Sequence, residues 1–126
     1  MQYLTIAALL MAAIIHLLPL AGVLGAEPLQ RLYGLPVAEP NLEILLRHRA
    51  VLFGLLGSFL LIAAFRPAWH GAALAAGLIS VLSFLLLAWR VGGYNAEIGR
   101  VVLVDVVALA VLIVGSVAFV WRGYSA

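Results

Sequence analysis

Cysteine and lysine are both missing from this chain of 126 residues, and charged side chains make up only 10% of it. Without cysteine there is no disulfide, no CxxC redox pair and no thiolate-bound metal, and the redox compartment is left open. Without lysine, all seven basic residues are arginines, so the formal charge of +2 rests on groups that do not deprotonate. GxGxxG, Walker, GxSxG and HExxH motifs are also missing, so nucleotide and hydrolase chemistry have no support and no cofactor is implied. Basic residues nowhere interleave with aromatics beyond the triplet Arg47-His48-Arg49, which removes nucleic acid as an expected partner.

The scarcity of charge decides the class. A soluble domain of this length needs a charged surface, whereas a chain that is 67% hydrophobic with a mean hydropathy of +1.23 belongs among membrane proteins. Length allows a single domain over residues 1–126. At a rise of about 1.5 Å per residue, about 20 apolar residues cross a hydrocarbon core of about 30 Å. Residues 3–24, 44–65, 70–89 and 99–121 meet that requirement. Backbone groups in lipid must bond within their own segment, so each run is expected to be a helix. Short connections then predict an all-α fold, an integral membrane up-down four-helix bundle. Met1-Gln2-Tyr3 carries no positive side chain and the apolar run after it is too long for a signal core, so the first run is expected to be a retained span.

The connections are unequal. Arg66-Pro67-Ala68-Trp69 and Gly92-Gly93-Tyr94-Asn95 predict tight turns. The long loop, residues 25–43, holds Pro28, Pro36 and Pro40, and its stretch 28–34 could lie as a short interfacial helix with Leu29, Leu32 and Tyr33 on one face. Asn41 is the expected cap of the second span, with Glu43 in its first turn. Call the end bearing both termini face A and the opposite end face B. Face A has Arg66, Arg122, Trp69 and Trp121; face B has the other five arginines and all five acids. A raw arginine count would put face B inside. Treating Arg47 and Arg49 as buried leaves three against two, and the uncleaved first span and the longer face-B loop then favour cytoplasmic termini. A bacterial inner membrane is the expected setting.

Helical spacing suggests which side chains face inward. Thr5, Ala8, Ala12, His16 and Pro19 share a stripe of small and polar residues, as do Arg47, Ala50, Gly54 and Ser58; Ala72, Ala76, Ser80 and Ser83; and Asp105, Ala108, Leu112 and Gly115. Arg47 is thus expected in the interior and Arg49 reaching towards the headgroups or a neighbouring helix, with His48 between them. His16, Arg47, His48 and Asp105 come out at nearly one depth. Ionisable groups in spans ordinarily face protein and pair, because lipid exposure costs about 2.5–3.5 kcal/mol even on a lenient scale. Glu43, four residues before Arg47, Asp105, or a bound anion could compensate the arginines.

Each group has a plain reading. Asp105 could be a structural salt bridge to Arg47 or Arg49, or a proton-carrying or ligand-binding carboxylate. His16 could be packed against a serine or backbone carbonyl, or act as a ligand or proton relay. The triplet could anchor headgroups, or receive the polar head of an amphiphile. No HxxxH or ExxH spacing supports a metal site. The candidate ligand-binding set is therefore His16, Arg47, His48, Asp105, Arg49, Glu43, Tyr94 and Asn95, with no catalytic residue named.

His16-Leu-Leu-Pro19, Leu32-Tyr33-Gly34, the run Leu46 to Gly54 containing Arg47-His48-Arg49, Gly92-Gly93-Tyr94-Asn95 and Asp105 together resemble the small DoxX-like group of bacterial four-span membrane proteins. The likeness covers essentially the whole chain through short motifs. It implies a four-helix membrane bundle, with quinone-linked oxidoreductase partners and assembly factors among wider relatives, and it carries no catalytic residue over. Similar short chains are often labelled phosphopantetheine adenylyltransferase; this sequence has neither the H-x-G-H nucleotide site nor a soluble α/β pattern to support that activity.

Four roles fit these residues. The first is binding of a lipid-, quinone- or isoprenoid-like ligand, with membrane lipids as surroundings. The second is a proton- or cation-coupled transporter working as a homodimer. A membrane enzyme with His16 and Asp105 as acid and base lacks any nucleophile signature. A subunit of a larger membrane complex explains the same facts with less.

Overall fold

The computed structural model describes residues 1–125, and among them every regular element is helical. Helix α1 (Gln2–Leu17) continues as a 3₁₀ segment (Leu18–Leu24). A short helix α2 (Ala26–Tyr33) follows, then α3 (Pro40–Ala64), α4 (His70–Val91) and α5 (Ala96–Ser125). Four segments, residues 2–24, 40–64, 67–91 and 96–125, are long and apolar enough to cross a membrane, which marks an integral membrane protein.

The first span is not uniform, and the reason lies in one residue. Pro19 has no N–H to offer the carbonyl four residues back, and its ring crowds that carbonyl, so the helix tightens at Leu18. The expected short helix is present and slightly longer than its predicted stretch, with Leu29 and Tyr33 buried. It ends on Gly34, whose φ of 64° is left-handed and whose N–H donates to the Gln30 carbonyl oxygen. The cap of α3 is Glu39, not Asn41: its carboxylate accepts from the backbone N–H of Asn41 and Leu42 at 3.0 Å each. These contacts hold the Glu39 carboxyl below its ordinary range.

The four spans form the expected up-down bundle, with α1 packed between α3 and α5, α4 against α5, and a looser seam between α3 and α4. Small residues set the close approaches. A Cβ on Gly115 would press into Ala8, and one on Gly57 would press into Leu17 and the backbone of Ala13. Thr5 Oγ1 donates to the Gly115 carbonyl oxygen at 3.2 Å, tying α1 to α5. Leu9, Ala12, Leu60, Leu74, Val81 and Leu112 fill the core between them.

The inner stripes predicted for α1 and α5 hold: Thr5, Ala8, Ala12 and His16 are buried, as are Ala108, Leu112 and Gly115. Two are corrected. In α4 the inner residues are His70, Ala73, Leu74, Gly77 and Val81, while Ala72 and Ser83 are exposed. In α3 they are Ala50, Gly54, Gly57, Leu60 and Ala64, while Ser58 is exposed. Gly57, which lets α1 approach, turns the helix away from the face that Ser58 would have selected. That rotation decides what happens to the arginine triplet.

Candidate functional site

Arg49, not Arg47, faces the bundle. Its guanidinium lies 4.5 Å from the ring centre of Phe53, 5.7 Å from Tyr33 and 5.6 Å from Phe84, and its Nε donates to the Tyr33 hydroxyl at 3.4 Å. Rings from α2, α3 and α4 thus shelter one cation, each desolvated contact of this kind contributing up to about 2 kcal/mol. Arg47 is exposed on the other flank of α3. Its Nε donates to the Val23 carbonyl oxygen at 3.0 Å, and its terminal nitrogen lies 3.9 Å from Glu43. The expectation of an interior Arg47 is therefore corrected, Arg49 takes the neighbouring-helix alternative rather than the headgroups, and the expected support of Arg47 by Glu43 is present but weak at this exposure.

Beside Arg49 is a cavity of about 260 Å³ at the face-B end. The end of α1 and the 3₁₀ segment contribute Ile15, His16, Leu18 and Pro19; α2 roofs it with Arg31, Leu32 and Tyr33. Helix α3 adds Arg49 and Phe53, and α5 supplies Glu97, Arg100, Val101, Val104 and Asp105. Its walls are mainly apolar and its few polar groups converge, the usual form of a small-molecule site. A second cavity of about 210 Å³ lies on the α3–α4 seam between Arg49, Leu52, Phe53, Leu56 and Ser80, so Arg49 and Phe53 form the partition.

His16 is buried and both ring nitrogens are engaged. A carbonyl oxygen only accepts, so Nδ1–H donates to Ala12 at 2.7 Å; in the neutral ring Nε2 then accepts from the Ser80 hydroxyl at 2.9 Å. This is the packed arrangement, serine and carbonyl together, and it anchors α1 to α4 while one edge of the ring faces the cavity. Asp105 lies across from it on α5. Arg49 and Asp105 line the same cavity from α3 and α5. Among the described residues, however, Asp105 makes no ion pair and no hydrogen bond.

The remaining candidates divide. His48 is exposed and does not line this cavity. Tyr94 is 47% exposed on the turn outside it. Asn95 acts in the fold: its Nδ2 donates to the Tyr33 carbonyl oxygen at 2.8 Å, and its Oδ1 accepts from the N–H of Ile98, capping α5 while holding the end of α2. The structure adds Tyr33, Phe53, Arg31, Glu97 and Arg100 to the site. Phe53 was readable, since it lies one helical turn after Arg49. Glu97 and Arg100 lie in the first two turns of α5, where membrane-depth arguments say little about direction.

Comparison with family models, with curated proteins and with solved structures finds no match to this chain.

Proposed function

We propose that this protein binds an amphipathic molecule of the lipid, quinone or isoprenoid kind, as a carrier or as an accessory subunit of a membrane complex, with the head in the face-B cavity. One observation carries the reading: Arg49 and Asp105 line the same apolar-walled cavity and are not paired with each other. A structural salt bridge would have closed that gap, because unpaired charges at this depth are costly. The resemblance to the DoxX-like group, resting on its short motifs, agrees with a small bundle serving larger partners. The test is mass spectrometry of the detergent-purified chain. A co-extracted lipid or quinone is expected, lost about tenfold on Arg49→Ala while Arg47→Ala retains it. Absence of any bound amphiphile, or equal retention by Arg49→Ala, removes the basis of the reading.

A proton- or cation-coupled transporter working as a homodimer is the second reading. It is favoured by Asp105, a carboxylate within a span with no described partner and a cavity beside it. Proton-driven uptake into liposomes that disappears with Asp105→Asn would promote it over the first. The bacterial inner membrane is the setting proposed for either. With Arg47 exposed, four arginines besides Arg49 stand at face B (Arg31, Arg47, Arg90 and Arg100) against Arg66 and Arg122 at face A. That balance favours a cytoplasmic face B and reverses the orientation expected from sequence.

A further inference from the structure

Four charged side chains reach the face-B cavity without an ionic partner among the described residues: Arg49 and Arg100, Glu97 and Asp105. The fifth, Arg31, is engaged by Glu27 at 3.5 Å. Opposite charges near an apolar wall attract more strongly than in water, and flexible ones close on each other. Here they are kept apart. The Arg49 guanidinium is held back over Tyr33, Phe53 and Phe84, and its terminal nitrogens have no acceptor among the described residues. Asp105 is on a short side chain on the facing wall. Glu97 lies against Gly34, where a missing side chain leaves room for its carboxylate.

Arg31, Arg49 and Arg100 stand against Glu97, Asp105 and the Glu27 beside Arg31, three charges of each sign, so the cavity presents no net charge but two separated poles. We infer that its occupant is an amphiphile whose head carries no net charge and offers a donor to Asp105 and Glu97 and an acceptor to Arg49 and Arg100. A net-anionic head would set a like charge against the carboxylates, and a net-cationic one against the arginines. Zwitterionic aminophospholipids and hydroxyl-headed neutral lipids share this chemistry. Leu18 and Val104, 62% and 38% exposed, line the cavity where it meets the outside of the bundle, which gives the tail a lateral way into the bilayer.

The inference rests on the amphiphile-binding reading and adds the charge of the head. Full-length protein in detergent is offered equal amounts of phosphatidylethanolamine, diacylglycerol and phosphatidylglycerol with matched acyl chains, and bound lipid is counted by native mass spectrometry. Wild type is expected to hold one of the two uncharged-head lipids about tenfold over phosphatidylglycerol. Asp105→Asn removes one carboxylate from the balance and is expected to move that ratio about tenfold towards phosphatidylglycerol. Glu97→Gln at the rim should move it the same way, and it serves if Asp105→Asn does not fold. A wild-type preference for phosphatidylglycerol, or a ratio unmoved by either carboxylate variant, overturns the head-charge inference and leaves amphiphile binding standing. Retention of none of the three lipids overturns both.

Discussion

The two ends of this bundle use the same helices and nearly the same apolar alphabet, yet one is closed and the other hollow. At face A, Gly115 meets Ala8, Thr5 bonds across to α5, and fully buried His70 donates through Nε2 to the Ala64 carbonyl oxygen at 3.1 Å. Arginines at this end stay outside the core, Arg66 over Trp69 and Arg122 over Phe119. At face B, Pro19 tightens the first span, α2 lies across the top as a roof, and Arg49 is drawn inward by three rings. Hydrophobicity puts both ends in the membrane. What separates them is whether small residues let backbones meet or bulky rings around a charge prevent it.

The largest expected effect tests the closed end. Gly115→Leu introduces a side chain where even a Cβ presses into Ala8 and reaches Leu74 of α4. Overpacking of this kind costs about 3 kcal/mol at the upper end of its usual range. Reversible unfolding in mixed micelles should show that loss. An unchanged midpoint would mean that the α1–α5 contact is not what closes face A.

A smaller effect is expected at the roof. Gly34→Ala would force a side chain into a left-handed conformation, at about 1–2 kcal/mol, and into the space of the Glu97 carboxylate. The roof should shift, so lipid retention is expected to fall more, relative to wild type, than global stability does. Were stability to fall alone, α2 would be part of the closed architecture and the comparison between the ends would lose its meaning.

These two sites also show what can be read from the chain alone. The four spans, the tight turns and the stripes of α1 and α5 follow from long apolar runs and from small residues at regular spacing, which act locally. The orientation of the triplet does not. Arg47 and Arg49 lie on opposite flanks of α3, and which flank faces protein depends on Gly57 accepting Leu17 from another helix. Tyr33 and Phe84, from α2 and α4, complete the shelter around Arg49 only after the chain has folded. Asp105 and His16 were legible because their stripes are the ones small residues mark without ambiguity.

The smallest effect concerns the strap that carries the roof into α3. Glu39 accepts from two backbone N–H groups at the helix start, and these bonds exist only for the charged carboxylate in full strength. Its folded-state pKa is therefore below the ordinary value of 4.5, and the contribution is present at neutral pH and lost as pH falls through that value and on through the lower one. Amide resonances of Asn41 and Leu42 should titrate together with a midpoint below 4.5, and the first turn of α3 should exchange faster at the acid end. Glu39→Gln should flatten that titration and leave Gly115 contacts untouched, because the strap lies at the opposite end of the bundle from that seam. A midpoint at or above the ordinary value would show that the cap does not hold in the membrane-bound protein, and that the roof is fastened by Asn95 and the buried Leu29 instead.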